Sequence, residues 1–446
     1  MSPRRGPSHD SEQPQRAPAA TTLSPGDRVA VTGAGGFIGS AITRSLLARD
    51  VKVVALAEPA GSRRNLAGLD VEVRTADVRV PESLHAALDG CRFVFHVAAM
   101  YSFWARDPSV FYDVNVAGTR NVLTAARVVG CERVVYTSTV GTLGLHGTAR
   151  GVPATEESSA DVAHLHGHYK RSKYVAEHEV LRAAAQGEPV SLALPTFPLG
   201  PRDGRPTPTG KVVVDFLNGR IPGYVDTAMN VAHVDDLADG HLLVLERGVT
   251  GRSYILGGEN LTMRELLETL AAATGLPPVT RRLPRLLPLA AGLVSEAVQG
   301  RMLRRPPLVP LEAARMSTTR MIFDDTRARS ELGYSSRPAA DAIADSARWF
   351  VANGYVAPDR RALIDISCRP RASGTRGIEA PAGSRHPRPA LRHRWQSRCS
   401  SVISSLHDAA TTIAIQRRCA GNCLGPARGR ADRELHADWH GAPARR

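Results

Sequence analysis

The sequence predicts an α/β fold, in which a doubly wound parallel sheet is followed by a smaller, mostly helical C-terminal lobe. Short runs of β-branched and apolar residues alternate with helical patterns from residue 28 onward. Most of these runs are continuously apolar, which is typical of parallel strands covered on both faces. A glycine-rich turn follows the first run, where the chain enters its first helix.

The N-terminal part of the chain supplies the strands of the predicted sheet. Six apolar runs predict strands at 28–33, 51–57, 71–76, 92–99, 133–139 and 190–196. Between them, helical patterns lie near 37–49, 81–89, 108–129 and 168–187. This alternation predicts repeated βαβ units, because a helix is the usual connection between parallel neighbouring strands.

After residue 195 the alternation loosens and the lobe begins. Helices are predicted at 234–247, 262–274 and 338–353, with a strand at 253–258 that returns to the sheet. The most apolar later segment, 283–294, contains two prolines and is too short to span a bilayer. It is therefore predicted to pack within the fold, and peripheral membrane contact is not expected.

Composition divides the chain into four parts: a disordered lead at 1–26, a dinucleotide-binding domain at 27–200, a substrate lobe at 201–356 and an Arg-rich tail at 357–446. Of the formal net charge of +14, the tail carries +10 and the lead +1. The nearly balanced body predicts no nucleic-acid partner. The tail is predicted to be disordered; a functional basic tail and a reading frame that has shifted or run past its stop are the alternatives.

The body of the chain carries two cysteines, Cys91 and Cys131, far apart in the sequence. Two cysteines so far apart predict that the protein works in a reducing compartment. The first residues lack the apolar stretch of a secretory signal, and no run of 18 apolar residues occurs. We therefore expect a cytoplasmic protein with no transmembrane segment.

The turn after the first strand has the spacing of a dinucleotide-binding loop. Residues 32–39 read TGAGGFIG, which places Gly33, Gly36 and Gly39 three residues apart at the start of a helix. Such a loop needs a tight turn, a backbone without Cβ beside the pyrophosphate and free amides in the first helical turn, here at Phe37 and Ile38. The placement predicts a bound dinucleotide cofactor.

The end of the second strand predicts which dinucleotide is bound. Glu58 lies where an acid accepts a hydrogen bond from the adenosine 2′-hydroxyl, which favours NAD over NADP. Arg63 and Arg64 follow closely and are able to reach a 2′-phosphate, so NADP stays an alternative. Asp77, after the third strand, is predicted to meet the adenine edge, with a surface-loop aspartate as the alternative.

Tyr169 and Lys173 form the predicted proton-transfer pair. They are four residues apart in a helical pattern, so both side chains stand on one face. A nearby ammonium stabilises a phenolate and moves the tyrosine pKa toward neutral pH. A hydroxyl that polarises the substrate oxygen is expected at the end of the fifth strand, where Ser138 and Thr139 both qualify; adjacent strand residues point to opposite faces, so one of them faces the tyrosine.

Four segments together resemble an extended short-chain dehydrogenase/reductase of the NAD-dependent epimerase/dehydratase kind: TGAGGFIG, HVAA, YTSTVGTLG and YKRSK. Longer segments, among them RRNLAGLDVEV, YSFWARDP and NVAHVDDLADGHLLVLERG, resemble the hopanoid-associated sugar epimerases, which are related to dihydroflavonol-4-reductase-like proteins. The resemblance covers residues 28–355. It implies a Rossmann-type sheet and a homodimer formed through the helices at 108–129 and 168–187.

The resemblance also implies roles for individual residues. It selects Thr139 as the active-site hydroxyl, with Ser138 in reserve, beside Tyr169 and Lys173. It implies that four further residues line the cofactor: Ala98, Ala99, Pro195 and Thr196.

The position after Thr139 bears on the reaction. Family members that dehydrate sugar nucleotides carry an acid pair there, whereas this chain has Val140 and Gly141, so dehydration is disfavoured. A sugar or nucleotide-sugar epimerase or oxidoreductase is predicted. The alternatives are an NADPH-dependent ketone reductase and a regulatory protein that binds NAD(P) without turnover.

Four residues are predicted to contact the substrate: Tyr101, Trp104, Arg106 and Lys211. The first three suit a sugar ring or an anionic group above the nicotinamide, with lobe packing as the alternative. Lys211 suits a nucleotide phosphate, with solvation as the alternative. His164, His166 and His168 alternate without a nearby acid or cysteine, so no metal site is predicted.

Overall fold

The chain folds around a parallel sheet. The computed structural model describes residues 21–162 and 165–365, so most of the predicted disordered lead and of the Arg-rich tail lies outside the described residues, as does His164. The described residues form ten strands: β1 (Arg28–Thr32), β2 (Lys52–Ala57), β3 (Glu72–Thr75), β4 (Phe93–His96), β5 (Arg133–Thr137), β6 (Val190–Pro195), β7 (Phe197–Leu199), β8 (Ala228–His233), β9 (Ser253–Leu256) and β10 (Glu259–Thr262).

The described residues also form twelve α-helices: α1 (Phe37–Leu47), α2 (Pro81–Leu88), α3 (Ser109–Tyr112), α4 (Gly118–Val128), α5 (His168–Ala185), α6 (Pro208–Leu217), α7 (Val234–Arg247), α8 (Met263–Thr274), α9 (Leu286–Ser295), α10 (Leu311–Met316), α11 (Ala339–Ala352) and α12 (Pro358–Arg361). A π-helical segment, Asp113–Ala117, joins α3 to α4, so the predicted helix at 108–129 is continuous but irregular.

Seven strands form the main sheet in the order β3-β2-β1-β4-β5-β6-β9, and every neighbouring pair is parallel. Helices cover both faces. Val29 and Val31 of β1 pack in the core with α1 and α7, whereas Ala30 packs in the core with α2, α4 and α5. The continuous apolar runs of the sequence follow from this double covering, and the predicted doubly wound fold is confirmed.

The C-terminal part returns β9 to the edge of the main sheet and builds a second, three-stranded sheet in the order β10-β8-β7. Helices α6, α8 and α11 contribute to a third apolar core against this sheet. The sequence analysis did not predict β8, whose short apolar run is interrupted by Asn230 and His233 although all six of its residues are buried. Its polar Asn230 is satisfied by hydrogen bonds to the Gly258 backbone and to Asn260.

The apolar segment at 283–294 departs from the prediction. It forms most of α9, and the helix continues through a π-helical turn at Glu296–Met302. Gly292 is the buried residue of α9, and a Cβ there would lie 2.8 Å from Ala314 Cβ of α10. The helix thus packs through its smallest residue, and the prediction that the segment packs within the fold is wrong for four apolar side chains, which are exposed: Leu286, Leu287, Leu293 and Val294. Among the described helices, none has the length and apolar character needed to cross a membrane.

Candidate active site

A cavity of about 710 Å³ opens at the carboxyl ends of the central strands. Residues that end or follow these strands line it, among them Thr32, Val97, Thr137 and Pro195. The strand order reverses between β1 and β4, which is the position where open α/β sheets bind their ligands.

The glycine-rich turn forms one wall of this cavity. Gly33 has a φ of +67°, and a Cβ there would lie 2.8 Å from the Ala98 Cα. A Cβ on Gly39 would lie 2.2 Å from the Gly33 carbonyl oxygen. Gly36 caps α1 without a side chain, so the first-turn amides face the cavity with no protein group in front of them. This backbone fits the pyrophosphate of a dinucleotide, and Phe37 and Ile38 line the cavity as predicted.

Thr32 fixes the end of β4 at the wall of the cavity. Its hydroxyl accepts hydrogen bonds from the Val97 and Ala98 amides, each at 3.1 Å, and contacts His96 Nδ1 at 2.9 Å. Burial lowers the pKa of His96 to about 3, so the ring is neutral. The chain therefore leaves β4 in one fixed direction, with Ala98 and Ala99 on the cavity lining.

The adenosine end of the cavity contains both predicted acids and an arginine that the sequence analysis missed. Arg79 donates to the Asp77 carboxylate at 2.6 Å and to Glu58 Oε1 at 3.2 Å. Arg79 holds the pKa of Asp77 below its usual range. Of the two arginines expected near a 2′-phosphate, Arg64 lines the cavity and Arg63 does not.

Tyr169 and Thr139 meet at the centre of the cavity. Both side chains line the cavity, and Thr139 Oγ1 accepts from the Gly141 amide at 3.1 Å. Burial raises the pKa of Tyr169 above its usual value, although the Thr139 side chain opposes the rise. The phenol is therefore protonated at neutral pH in the cofactor-free chain and has a proton to donate.

The two hydroxyls left open at the end of β5 point to different partners. Ser138 is buried and donates to the Glu177 carboxylate, which also accepts from Thr142 Oγ1 at 2.9 Å. Burial raises the pKa of Glu177. Ser138 is thus engaged beneath α5, whereas the Thr139 hydroxyl faces Tyr169.

Lys173 stands one turn beyond Tyr169 on α5 and is 2 % exposed. Its Nζ donates to the Tyr136 hydroxyl and to the Thr137 carbonyl, each at 2.7 Å. Burial lowers the pKa of Lys173 to about 7, and Glu177 opposes this shift. The amine is thus anchored to β5 and lines the cavity next to the tyrosine.

Asn115, in the π-helical segment, ties the cavity loop to α5. Its Oδ1 accepts from the Met100 amide at 2.8 Å, and its Nδ2 donates to Ser172 Oγ at 2.9 Å. π-helical turns inside helices are frequent at functional sites. Here the extra residue lets one side chain reach both the loop and the helix that carries Tyr169.

Pro195 and Thr196 line the cavity where β6 ends. The Thr196 amide donates to the Leu256 carbonyl at 3.2 Å. Its Oγ1 is buried and has no hydrogen-bond partner among the described residues. An unsatisfied buried hydroxyl costs about 1–3 kcal/mol, so a polar group of a bound cofactor, such as a carboxamide, fits this position.

The structure brings one of the four predicted substrate residues into the cavity. Tyr101 lines it, and its ring centroid lies 4.8 Å from that of Tyr169. Trp104, Arg106 and Lys211 do not line the cavity. Lys211 is exposed and pairs with Asp215, one helical turn away, at 2.5 Å.

Lys170 and Glu312 are two further ionisable residues of this region that the sequence analysis missed. Lys170 lines the cavity beside Tyr169, and Glu312 of α10 is buried with its Oε1 unpartnered among the described side chains. Burial raises the pKa of Glu312 and lowers that of Lys170, while their mutual attraction opposes both shifts. Neither residue matches a motif, and they are 142 positions apart, so only the fold pairs them.

The lobe side of the cavity has an apolar part, beside the polar lining residues Asp203, Arg205, Thr207, Thr209 and Asn230. Its lining includes Met229, Met316, Met321 and Phe323 from the C-terminal part, together with Phe103. These residues come from separate segments with no common periodicity, so no sequence pattern identifies them.

The parallel sheet and the glycine turn are those of an NAD(P)-dependent enzyme of the extended short-chain dehydrogenase/reductase type. The chain belongs to the NAD dependent epimerase/dehydratase family, whose sequence model matches residues 29–257. The predicted resemblance to this family and the predicted NAD(P) cofactor are confirmed at the level of the family.

Curated relatives include reductases. The chain is 41 % identical over 330 residues to a putative dihydroflavonol 4-reductase from Synechocystis, covering 73 % of this chain and 95 % of the relative. It is 32 % identical to sterol demethylase protein B from Methylococcus capsulatus, covering 73 % and 99 %. It is also 32 % identical to a 2-alkyl-3-oxoalkanoate reductase from Shewanella oneidensis, covering 69 % and 81 %.

Solved structures share the fold. The protein gox2253 is 41 % identical, with a TM-score of 0.66, and the match covers 74 % of this chain and all of that one. A nucleoside-diphosphate-sugar epimerase from Pseudomonas aeruginosa is 25 % identical, with a TM-score of 0.61, covering 74 % and 99 %. The family therefore includes proteins named as reductases and proteins named as epimerases.

Proposed function

We propose that this enzyme interconverts a ketone and a secondary alcohol on an apolar molecule, with NAD(P) as the hydride carrier. In this proposal residues 27–200 bind the cofactor and residues 201–356 bind the substrate. The apolar part of the lobe side of the cavity, which includes Met316, Met321 and Phe323, carries the proposal. A wall of this kind binds apolar groups, whereas a nucleotide-sugar diphosphate needs cations.

The proposed chemistry uses three residues of the chain. The bound nicotinamide supplies the hydride in reduction and accepts it in oxidation. Tyr169 donates its phenolic proton to the ketone oxygen in reduction, and Thr139 hydrogen-bonds the same oxygen. We assign to Lys173 the stabilisation of the phenolate left on Tyr169, because the two residues stand on one face of α5.

The residues after Thr139 support hydride transfer without dehydration. Val140 and Gly141 form a 3-10 turn with Thr142, and neither Val140 nor Gly141 has a group that titrates. Loss of water from a sugar needs a general acid and a general base. The names of three relatives also support a reductase, because two of them are reductases and the third is a sterol demethylase protein.

We propose NAD as the preferred cofactor, with NADP as the alternative. The Glu58 carboxylate at the end of β2 is exposed, so it is available to a ribose hydroxyl. Arg79 offsets part of the negative charge of Glu58 and Asp77 and offers a partner to a 2′-phosphate. The ratio of the Kd values for NADH and NADPH tests this preference.

A sugar or nucleotide-sugar epimerase is the second candidate. Arg205 lines the cavity as an exposed cation from the lobe, where it is able to meet a diphosphate. The similarity to a nucleoside-diphosphate-sugar epimerase favours the same function. The hopanoid association of the resembling family stays a prediction.

Turnover with two substrate sets distinguishes the candidates. Purified full-length protein is incubated with NADH or NADPH and either alkyl and polycyclic ketones or nucleotide sugars, and both nicotinamide absorbance and product are followed. We expect net nicotinamide oxidation with the ketones. Epimerised sugar without net nicotinamide consumption would support the second candidate, and cofactor binding without either reaction would support the non-catalytic alternative.

The proposal places the enzyme in the cytoplasm as a homodimer. Cys91 and Cys131 lie close together, with Cys131 Sγ 3.2 Å from the Cys91 carbonyl oxygen, and both are free thiols. Neighbouring thiols that stay unpaired suit a reducing compartment. Val128 of α4 and Val175 of α5 are exposed apolar side chains on the two helices expected to form the dimer. Light scattering after size exclusion tests the dimer, and a monomeric mass would contradict it.

A further inference from the structure

We propose that residues 281–308, which we call the α9 surface, bind the headgroup region of an anionic lipid bilayer beside the substrate cavity. The surface comprises α9, the π-helical turn after it and the flanking loops. It lies outside the cofactor and catalytic groups. The binding of lipid stands independently of the proposed ketone chemistry, while the delivery of an apolar substrate from the bilayer rests on that proposed function.

Exposed apolar side chains are concentrated on the α9 surface. Eight of the fifteen large apolar side chains that are exposed among the described residues fall within 286–308. Leu286, Met302 and Leu308 are 76 %, 77 % and 81 % exposed. The remaining five are Leu287, Leu293, Val294, Val298 and Leu303. Single exposed apolar residues are ordinary, but a contiguous set marks a contact with a protein or a membrane.

The helix presents its apolar face outward and its polar face inward. Ser295 Oγ lies 2.9 Å from Gln299 Oε1 and accepts from the Val309 amide at 3.1 Å. Glu296 accepts from the Leu311 amide at 3.1 Å. A helix that faces water shows the opposite arrangement, whereas a helix that lies in a membrane interface shows this one.

The charge of the α9 surface matches an anionic partner. It contains six arginines and one acid, Glu296, which is turned inward. Arg301, Arg304 and Arg305 are exposed and take part in no ion pair within the described part of the chain. Arginines flanking an apolar helix face are typical of segments that bind anionic lipids, where each cation near the surface contributes about 1 kcal/mol.

The α9 surface adjoins the cavity through α10. Gly292 packs closely on Ala314 of α10, and Met316 at the end of that helix lines the cavity. A Cβ on Gly300 of the π-helical turn would lie 3.3 Å from Trp104 Nε1, so the surface also reaches the segment that follows Tyr101. An apolar substrate in the bilayer would thus meet the lobe side of the enzyme first.

A second copy of this chain is a weaker occupant than a bilayer. A two-fold contact through the α9 surface brings the same arginines of both copies together, with one acid on each side to balance them. Like charges at an interface oppose association, whereas phosphatidylglycerol or phosphatidylserine headgroups neutralise them. The bilayer is therefore the occupant that both the apolar and the charged side chains favour.

Vesicle sedimentation with the full-length protein tests the proposal. One vesicle preparation contains phosphatidylcholine alone, and the other contains about 30 % phosphatidylglycerol, both at about 0.15 M salt. Two variants alter the surface: Leu287→Ser with Val294→Ser, and Arg301→Ser with Arg304→Ser and Arg305→Ser. The control variant, Val152→Ser with Leu363→Ser, removes one exposed valine and one exposed leucine elsewhere. The Arg-rich tail is present in every protein and does not differ between them.

We expect the wild type and the control to sediment with anionic vesicles. Each surface variant should lower the partition coefficient about tenfold or more, with an unchanged Tm. Wild type that stays in the supernatant, or surface variants that bind as well as wild type, would overturn the proposal. A surface variant that converts a dimer to a monomer, without vesicle binding by wild type, would assign the surface to a second copy. Because sedimentation needs no turnover, its result is separate from that of the ketone assay.

Discussion

The two sides of the cavity differ in how they are built. The cofactor side uses backbone from one short stretch, the turn after β1, together with the end of β4 that Thr32 holds. The lobe side uses side chains of Phe103, Met229 and 316–323, which come from distant segments. The difference indicates that one side of the cavity is shaped by backbone that few side-chain substitutions are able to change, whereas the other side is shaped by side chains that exchange easily.

The largest effect on turnover is expected from a substitution where the cofactor side and the lobe side of the cavity meet. Tyr169→Phe removes the proton donor and should lower kcat by about 10²–10⁴-fold, since general acid catalysis contributes that much. Cofactor Kd should change little, because the ring and the cavity wall remain. Steady-state kinetics and a fluorescence titration with NADH measure both. Tyr174→Phe on the same helix, which packs against His178 outside the cavity lining, is the control and should keep wild-type turnover.

A change on the cofactor side should weaken dinucleotide binding. Gly39→Val adds a Cβ that would lie 2.2 Å from the Gly33 carbonyl oxygen, so the turn must shift. Overpacking costs about 1–3 kcal/mol, and Kd for the dinucleotide rises about tenfold to hundredfold if this cost applies to the cofactor-bound state. Titration with NADH measures it, beside Ala48→Val at the exposed end of the same helix. Equal affinity in Gly39→Val would show that the cofactor does not use this turn.

A change on the lobe side should affect substrate and leave cofactor binding intact. Met316→Arg puts a cation into the apolar wall and should lower kcat/KM for an apolar ketone about tenfold to hundredfold. Met316→Leu keeps the wall apolar and should stay near wild type. If Met316→Arg instead improves turnover of a nucleotide sugar, the lobe side serves the second candidate function.

The buried amine between the two sides should make stability depend on pH. Lys173 has a pKa of about 7 in the fold, against about 10.4 in an unfolded chain. Between these values the unfolded chain binds one more proton, so the free energy of unfolding rises with pH from 7 to 10 and the increment is absent below 7. Urea unfolding at pH 7 and pH 9 should show a gain of about 1–3 kcal/mol in wild type relative to Lys173→Met. If wild type and Lys173→Met differ in free energy of unfolding by the same amount at pH 7 and at pH 9, the Lys173 amine is charged in the folded chain.

The smallest effect is expected at Lys211. Its ammonium pairs with Asp215 on the exposed side of α6 and does not line the cavity. An exposed pair of this type contributes about 0.3–0.5 kcal/mol. Because Lys211 does not line the cavity, Lys211→Ala should leave KM within about twofold of wild type and lower the free energy of unfolding by no more than about 0.5 kcal/mol. A tenfold rise in KM with a nucleotide sugar would return Lys211 to the substrate site.

The success of the sequence-based predictions also differs between the cofactor side and the lobe side of the cavity. The main sheet and the glycine turn depend on local patterns, so strands such as β1 and the loop at 32–39 could be identified directly. All thirteen residues predicted to bind the cofactor line the cavity. Arg79 was missed because its role depends on a bend that brings it between two acids from different strands.

The lobe side could not be predicted in this way. Met316, Met321 and Phe323 follow no period, and Glu312 comes near enough to influence the Lys170 pKa only through the packing of α10. Trp104 and Arg106 were placed at the substrate by position after β4, but the loop turns them away from the cavity lining. At 283–294 apolar composition suggested burial, whereas a single glycine made the contact and left the larger side chains exposed.

Isotope transfer tests the central claim most directly. NADH deuterated on the transferable C4 position is incubated with an alkyl or polycyclic ketone, and the product is analysed by mass spectrometry. Net ketone reduction predicts one deuterium on the carbinol carbon of the product and one NAD⁺ formed for each alcohol. Deuterium that stays on the cofactor, no accumulation of NAD⁺, and turnover confined to an epimerised sugar would contradict the account.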